Sequence, residues 1–248
     1  MENVLEKLFQ DARYLLARNG LSYPEERTRV QILPWEAGTQ KYKRMLQEQT
    51  ESLGNKFSDS ELKMLEYGLQ GCRGHCLTIL NGDGLEYFVI AKYNTDTTPN
   101  MFPGNCETVE QRLGALQIIN TLIHEIGGHI WFKEHTKFGR LKKQELIKLY
   151  RDGIVAPYNK FHSLEESWAE IAALHCCRQH PLSRELYDLL RASILFYKSC
   201  IKMREKGFKY TKKLLMEDGN LYRVHKILGQ RDMLEYFMHL IRPKPVRI

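Results

Sequence analysis

The sequence lacks the features of a membrane protein and of a secreted protein. No apolar run reaches the roughly 20 residues that a membrane-spanning helix needs, and the start of the chain has no signal-peptide pattern. The six cysteines include an adjacent pair, Cys176 and Cys177, and follow no regular spacing, unlike the cysteines of a disulfide-held domain. We therefore expect a soluble, cytoplasmic protein with free thiols.

Repeats and low-complexity tracts are absent as well, and the chain is long enough to fold without a metal. With 248 residues, 43% of them hydrophobic, it can bury a substantial core. This argues against the structural role that zinc has in small finger domains. Cys72, His75 and Cys76 look like half of a metal knuckle, but no second half follows, so a turn before a strand explains them better.

The positive charge of the chain gathers in clusters. The net charge is +7, and basic residues are concentrated in 137–143, 202–213 and the tail 242–247. Such clusters are usually solvated faces, and no motif of a nucleic-acid-binding module accompanies them. Their excess favours acidic partners through long-range attraction. We expect a peptide or protein substrate, with acidic ones favoured, and neither a membrane nor a nucleic acid as partner.

What the sequence does contain is a pair of histidines around a glutamate, in the run His124-Glu-Ile-Gly-Gly-His129. Imidazoles and carboxylates are the ligands of hydrolytic zinc sites. Five positions apart on an α-helix, the two rings would point about 140° away from each other. A local turn with i→i+5 hydrogen bonds, a π-bulge, would bring them to one metal, and Gly127 and Gly128 lie where it would form. Glu125, beside a ligand, is then the candidate general base.

A second acidic cluster lies on a predicted helix, where Glu166 and Glu170 are four positions apart. Like charges at this spacing repel each other, which a nearby cation would explain. In this interpretation Glu166 binds zinc and Glu170 accepts the outer N–H of a zinc-bound histidine. Alternatively, Glu166 forms a capping box with Ser163 and needs no metal, although this leaves Glu170 unexplained. His135 is another candidate third ligand, but its charged neighbours are typical of a surface position.

Together the two segments resemble the zinc peptidases of the dipeptidyl peptidase III family, which have His-Glu-x-x-Gly-His followed by Glu-Glu-x-x-x-Glu. The matching residues are His124, Glu125, Gly128 and His129, then Glu165, Glu166 and Glu170. The resemblance implies a zinc-dependent peptidase that hydrolyses peptide bonds with a zinc-activated water and holds one zinc ion per chain. It implies the following roles: metal ligands His124, His129 and Glu166; general base Glu125; outer carboxylates supporting the ligands, Glu165 and Glu170.

The resemblance covers about residues 85–200, and members of that family are much longer, so release of dipeptides is not implied. No position matches that family's transition-state histidine; the candidates for an oxyanion donor are His162, Tyr210 and His225. The segment Glu166-Ser-Trp-Ala169 is loosely similar to tubulin tyrosine carboxypeptidases, which also have His-Glu-x-x-x-His. A non-catalytic binding protein and a hydrolase of other amide bonds are the remaining alternatives.

The pattern of elements predicts an α+β domain that is mainly α-helical, and the resemblance adds a zincin or gluzincin type of catalytic fold. Two β-prone runs around Asn81-Gly-Asp-Gly84 predict a small β-hairpin next to the active-site helix. The hairpin is either a platform for an extended substrate or ordinary scaffold. We expect one domain over 1–248, with an N-terminal helical part (1–70), a catalytic core (75–200) and a C-terminal helical part with the basic tail (201–248).

Overall fold

The structure is a computed structural model of the protein. It describes most of the chain, namely residues 2–54, 56–70, 72–81, 84–93, 109–151, 162–183 and 208–217. Over these ranges the fold is mostly helical with one three-stranded sheet, which confirms the predicted α+β class. Among the helices in these ranges, none has the length and apolar character that a membrane crossing requires. The candidate His225 and the basic tail lie outside the described residues.

The sheet combines a predicted hairpin with a strand that was not predicted. Strands β2 (Gly74–Asn81) and β3 (Gly84–Tyr93) are antiparallel neighbours, so the hairpin is confirmed. Strand β1 (Thr28–Pro34) pairs with β3 in parallel, with Val30 opposite Val89. Among the strands of the described residues, the order β1-β3-β2 places β3 in the middle and β2 at an edge.

Three α-helices precede the hairpin in the chain. Helix α1 (Glu2–Arg18) buries an apolar stripe that includes Leu15 and Leu16, as the helical spacing of those residues favours. Helix α2 (Trp35–Ser52) packs on one face of the sheet, where the buried Lys92 of β3 donates to Thr39 over 3.2 Å. Helix α3 (Asp59–Gln70) leads into β2.

A long helical stretch covers the opposite face of the sheet and forms the centre of the core. Helix α4 (Val109–Ile123) continues into a π-helical segment (His124–Ile130) and then into α5 (Trp131–His135). The capping box predicted at Thr108 lies outside the described residues. The stretch packs against both the sheet and α1, so it is apolar on more than one side. Its buried residues include Ile119, Ile123 and Ile126.

Helix α6 (Lys137–Arg151) follows, and α7 (His162–Cys177) then packs directly on the π-helical segment. Residues 208–217 close the far side of α7. There, Phe208 stacks on the ring of His175 with centroids 4.0 Å apart, and Lys212 donates to the carbonyl of Asn19 over 2.7 Å. Helix α7 is therefore held between the motif helix, the end of α1 and a segment from the C-terminal part.

Candidate metal centre

The histidine motif lies in a continuous helix that widens locally. Residues His124–Ile130 are π-helical, and the helix is unbroken on both sides. The rings of His124 and His129 have centroids 5.0 Å apart, with planes at 72°, instead of pointing to different faces as five α-helical positions would require. The predicted i→i+5 widening is confirmed, and the two imidazoles share one side of the helix.

The two glycines of the motif lie where other parts of the fold pack closely against this widened turn. A Cβ atom added to Gly128 would lie 2.3 Å from Cβ and 2.6 Å from Cα of Ala169. One added to Gly127 would lie 2.5 Å from Leu16 Cδ2. Such distances are far below van der Waals contact. A larger residue at Gly128 would push α7 away, whereas one at Gly127 would meet the end of a flexible side chain. Gly128, which was linked only to the bulge in the sequence, is therefore needed for packing.

A tryptophan on α7 also satisfies the backbone of the π-helical segment. The indole N–H of Trp168 donates to the carbonyl of Gly127 over 3.1 Å, and the bond is buried. A buried carbonyl without such a donor would cost free energy, because it has lost its hydrogen bonds to water. Trp168 therefore links the stability of the widened turn to the docking of α7.

Replacing Trp168 by phenylalanine should destabilise the protein by about 1–3 kcal/mol, because it leaves this carbonyl without its donor. Trp131→Phe is the matched control, since Trp131 is buried in the same cluster with its ring 4.8 Å from that of Trp168. Urea unfolding of both variants measures the difference. An equal loss of stability in the two variants would mean that the bond to Gly127 contributes nothing.

The three predicted metal ligands come together. The Nε2 atoms of His124 and His129 each lie 3.4 Å from an oxygen of the Glu166 carboxylate, and the three ligand atoms are all within 4.8 Å of one another. A tetrahedral zinc ion with bonds of about 2.0–2.1 Å keeps its ligand atoms roughly 3.3 Å apart. The side chains therefore fit a zinc ion with small adjustments.

The two alternatives for Glu166 and the alternative ligand His135 depend on different contacts. The Glu166 carboxylate lies 3.4 Å from both histidines, as a third ligand would. The side chain of Ser163, on which the capping-box interpretation depends, is not among those described, so the capping box stays a prediction. His135 is not part of the cluster, because its Nε2 lies 2.9 Å from the carbonyl oxygen of Ser22.

Two further carboxylates contact the outer nitrogens of the histidine rings. The Nδ1 of His129 donates to Glu165 Oε1 over 2.8 Å, and the Nδ1 of His124 lies 3.4 Å from Glu170 Oε1. A carboxylate at Nδ1 favours the tautomer with its proton there, which leaves the lone pair of Nε2 free for a metal. These contacts are the ones expected of outer carboxylates.

The electrostatics of the cluster suit a cation. Burial lowers the pKa of His124, but its interactions with Glu166 and Glu170 outweigh burial and raise the pKa to about 10. The bond to His124 in turn lowers the pKa of Glu170. The carboxylates around His124 thus favour positive charge at this position. A divalent cation between the same groups would supply that charge.

The candidate base, Glu125, is buried beside the predicted ligands. Glu125 is only 5% exposed, and its Oε2 lies 3.8 Å from His129 Nε2. Burial raises the pKa of Glu125, against the opposing charges of the two histidines. Strand β2 begins next to it, because a Cβ added to Gly74 would lie 2.7 Å from Glu125 Oε1. The predicted position of the hairpin, next to the motif helix, is confirmed.

Comparisons with known proteins identify no relative. No protein-family model, no curated protein and no solved structure matches the chain. The resemblance to dipeptidyl peptidase III rests on the motifs alone.

Of the candidate oxyanion donors, none is brought to the cluster by the described contacts. Tyr210 is 47% exposed on segment 208–217, the side chain of His162 is not among those described, and His225 lies outside the described residues. Arg73 and Lys133 were not predicted from the sequence. The charge of Arg73 helps to lower the pKa of Glu170, while Lys133 contacts Glu165. No local pattern marks either residue, because both reach the site only through the tertiary fold.

Proposed function

We propose that this protein is a zinc-dependent peptidase of the gluzincin type, a short relative of the dipeptidyl peptidase III family. The observation that supports this best is the position of the Glu166 carboxylate, 3.4 Å from the Nε2 atoms of both His124 and His129. Three protein ligands with an open fourth position are typical of catalytic zinc, whereas structural zinc usually has four protein ligands.

A bound zinc ion would polarise the scissile carbonyl and lower the pKa of a water molecule to about 7. Glu125 accepts the proton of the attacking water and delivers it to the leaving amine. Its burial favours this role, since a raised pKa brings a carboxylate closer to the working pH of a general base. The position of β2 supports a peptide as substrate, because an edge strand beside the base would pair with an extended chain.

A purely binding protein explains the cluster less well. A metal site without catalysis does not require Glu125, which is buried beside the ligands and is not among the three residues that could hold the metal. The likeness to tubulin tyrosine carboxypeptidases includes Ala169, but packing alone explains a small residue there, since its Cβ would lie 2.3 Å from one on Gly128. The peptidase therefore remains our single proposal.

The zinc content of the reconstituted protein tests the proposal. We expect one zinc ion per chain by elemental analysis, and loss of that zinc in His124→Ala and in His129→Ala. His180→Ala is a matched control, because His180 is a buried histidine that bonds to Asp11 over 3.1 Å and should leave the zinc content unchanged. Absence of zinc, or equal zinc in all variants, would refute the site.

A screen of peptide substrates then tests the reaction. The zinc-loaded protein should hydrolyse peptides, and a chelator should stop it. Comparing peptides with free ends against peptides blocked at one or both ends separates an endopeptidase from an exopeptidase. A protein that binds zinc but cleaves no peptide, while cleaving other amides, would move the proposal to another class of hydrolase.

A further inference from the structure

A buried lysine contacts a carboxylate that in turn contacts one of the proposed metal ligands. Lys133 lies on α5, one helical turn after His129, and is only 4% exposed. Its Nζ lies 3.0 Å from Glu165 Oε1. The same oxygen is 2.8 Å from His129 Nδ1. One carboxylate oxygen on α7 thus accepts from two donors on the motif helix.

The burial of this lysine needs a reason. Lysine is almost never fully buried unless it is paired, and a buried ion pair often stabilises a fold no better than two apolar side chains of the same size. Glu165 is 1% exposed, so both charges have left water. Stability alone therefore does not account for the pair of Lys133 and Glu165.

Orientation of a ligand does account for it. Bonds between charged groups are shorter and stronger than neutral ones. The ammonium group fixes the position of Oε1, and Oε1 in turn fixes the ring of His129 through Nδ1. The opposite ring nitrogen, Nε2, then points to the Glu166 carboxylate, 3.4 Å away. Small rotations of the ring would move Nε2 away from the metal position.

We infer that Lys133 is a positioning residue of the metal centre, which acts through Glu165 to hold His129 in the orientation that binds the metal. The inference rests on the proposed zinc site. Its effect is on metal affinity, so it is measurable without any substrate.

Zinc affinity, measured by competition with a chelator, tests this. Lys133→Met should raise the zinc dissociation constant by about tenfold or more, the lower end of the range for groups that support metal ligands from outside. Lys133→Arg keeps the cation and should restore the affinity to within a few-fold of the native value. Lys143→Met is the matched control: it removes a lysine 2.9 Å from Glu134 in the same region and should leave zinc affinity unchanged.

A double variant identifies the route of the effect. Glu165→Gln should itself weaken zinc binding, and adding Lys133→Met to it should cause no further loss, because the effect of Lys133 passes through that carboxylate. The double variant leaves no unpaired charge buried. Comparing it with Glu165→Gln therefore tests the inference even if Lys133→Met alone fails to fold. A further tenfold loss in the double variant would overturn the inference.

The outcomes separate the two proposals. A native protein that binds no zinc would refute the proposed function, and the inference with it. A native protein that binds zinc, with affinity unchanged in Lys133→Met, would refute only the role of Lys133.

Discussion

Replacing Glu125 by glutamine should abolish peptide hydrolysis while zinc stays bound. The amide has the size of the carboxylate but accepts no proton, so only the transfer of the proton from water to the leaving amine is lost. General-base catalysis contributes roughly 10²–10⁴-fold to such rates. Initial rates of the zinc-loaded variant measure the loss, and elemental analysis measures its zinc.

The control is the same glutamate-to-glutamine substitution at a residue of the sheet. Glu86 lies on β3, where its carboxylate is 3.8 Å from Arg29, and Glu86→Gln should leave the rate unchanged. If Glu125→Gln loses zinc, then Glu125 is a ligand and its proposed role is wrong. If it retains both zinc and activity, another group is the base.

Gly128→Ala should cause the largest loss of stability among the site variants. The new methyl group would lie 2.3 Å from Cβ and 2.6 Å from Cα of Ala169, and a backbone atom cannot move aside alone. Helix α7 would have to shift, and Glu166 on the same helix would shift with it. We expect a loss of about 3 kcal/mol, at the upper end for overpacked sites, together with weaker zinc binding.

Gly127→Ala is the matched control for this prediction. Its methyl group would meet Leu16 Cδ2 at 2.5 Å and Leu21 Cδ1 at 3.1 Å, which are the ends of flexible side chains. Those ends can rotate, and alanine gains about 1 kcal/mol of helix propensity over glycine. The loss of stability should therefore be smaller than for Gly128→Ala. A larger loss at Gly127 would show that the approach of α7 is not the limiting contact.

Much of the site could be predicted because its parts are local in the sequence. The five-position spacing of His124 and His129 predicts the widened turn, since no regular helix brings both rings together. The spacing of Glu166 and Glu170 places them on one face of a helix. Both helices were predicted from the same patterns, and the structure brings their polar faces together.

The rest depends on contacts between distant parts of the chain. Strand β1 was missed because its partner β3 lies about 60 residues later, with Val30 opposite Val89, and parallel pairing leaves no turn signal between the strands. Lys133 was missed for the same reason, because its partner Glu165 is on another helix. The need for Gly128 depends on where α7 crosses, which spacing does not specify.

Parts of the chain outside residues 75–200 pack against the helices that carry the site. Phe208 stacks on His175 of α7, and Lys212 bonds to the end of α1, so both ends of the described chain meet behind the helix that carries three of the site's carboxylates. A fragment limited to residues 75–200 would expose apolar surface of α7 and α4 that these neighbours cover. In such a fragment, α7 would have to become ordered as zinc binds. The free-energy cost of this ordering would weaken the zinc affinity of the fragment. We therefore expect full zinc affinity to require α1 and segment 208–217 as well as the stretch that contains the motifs.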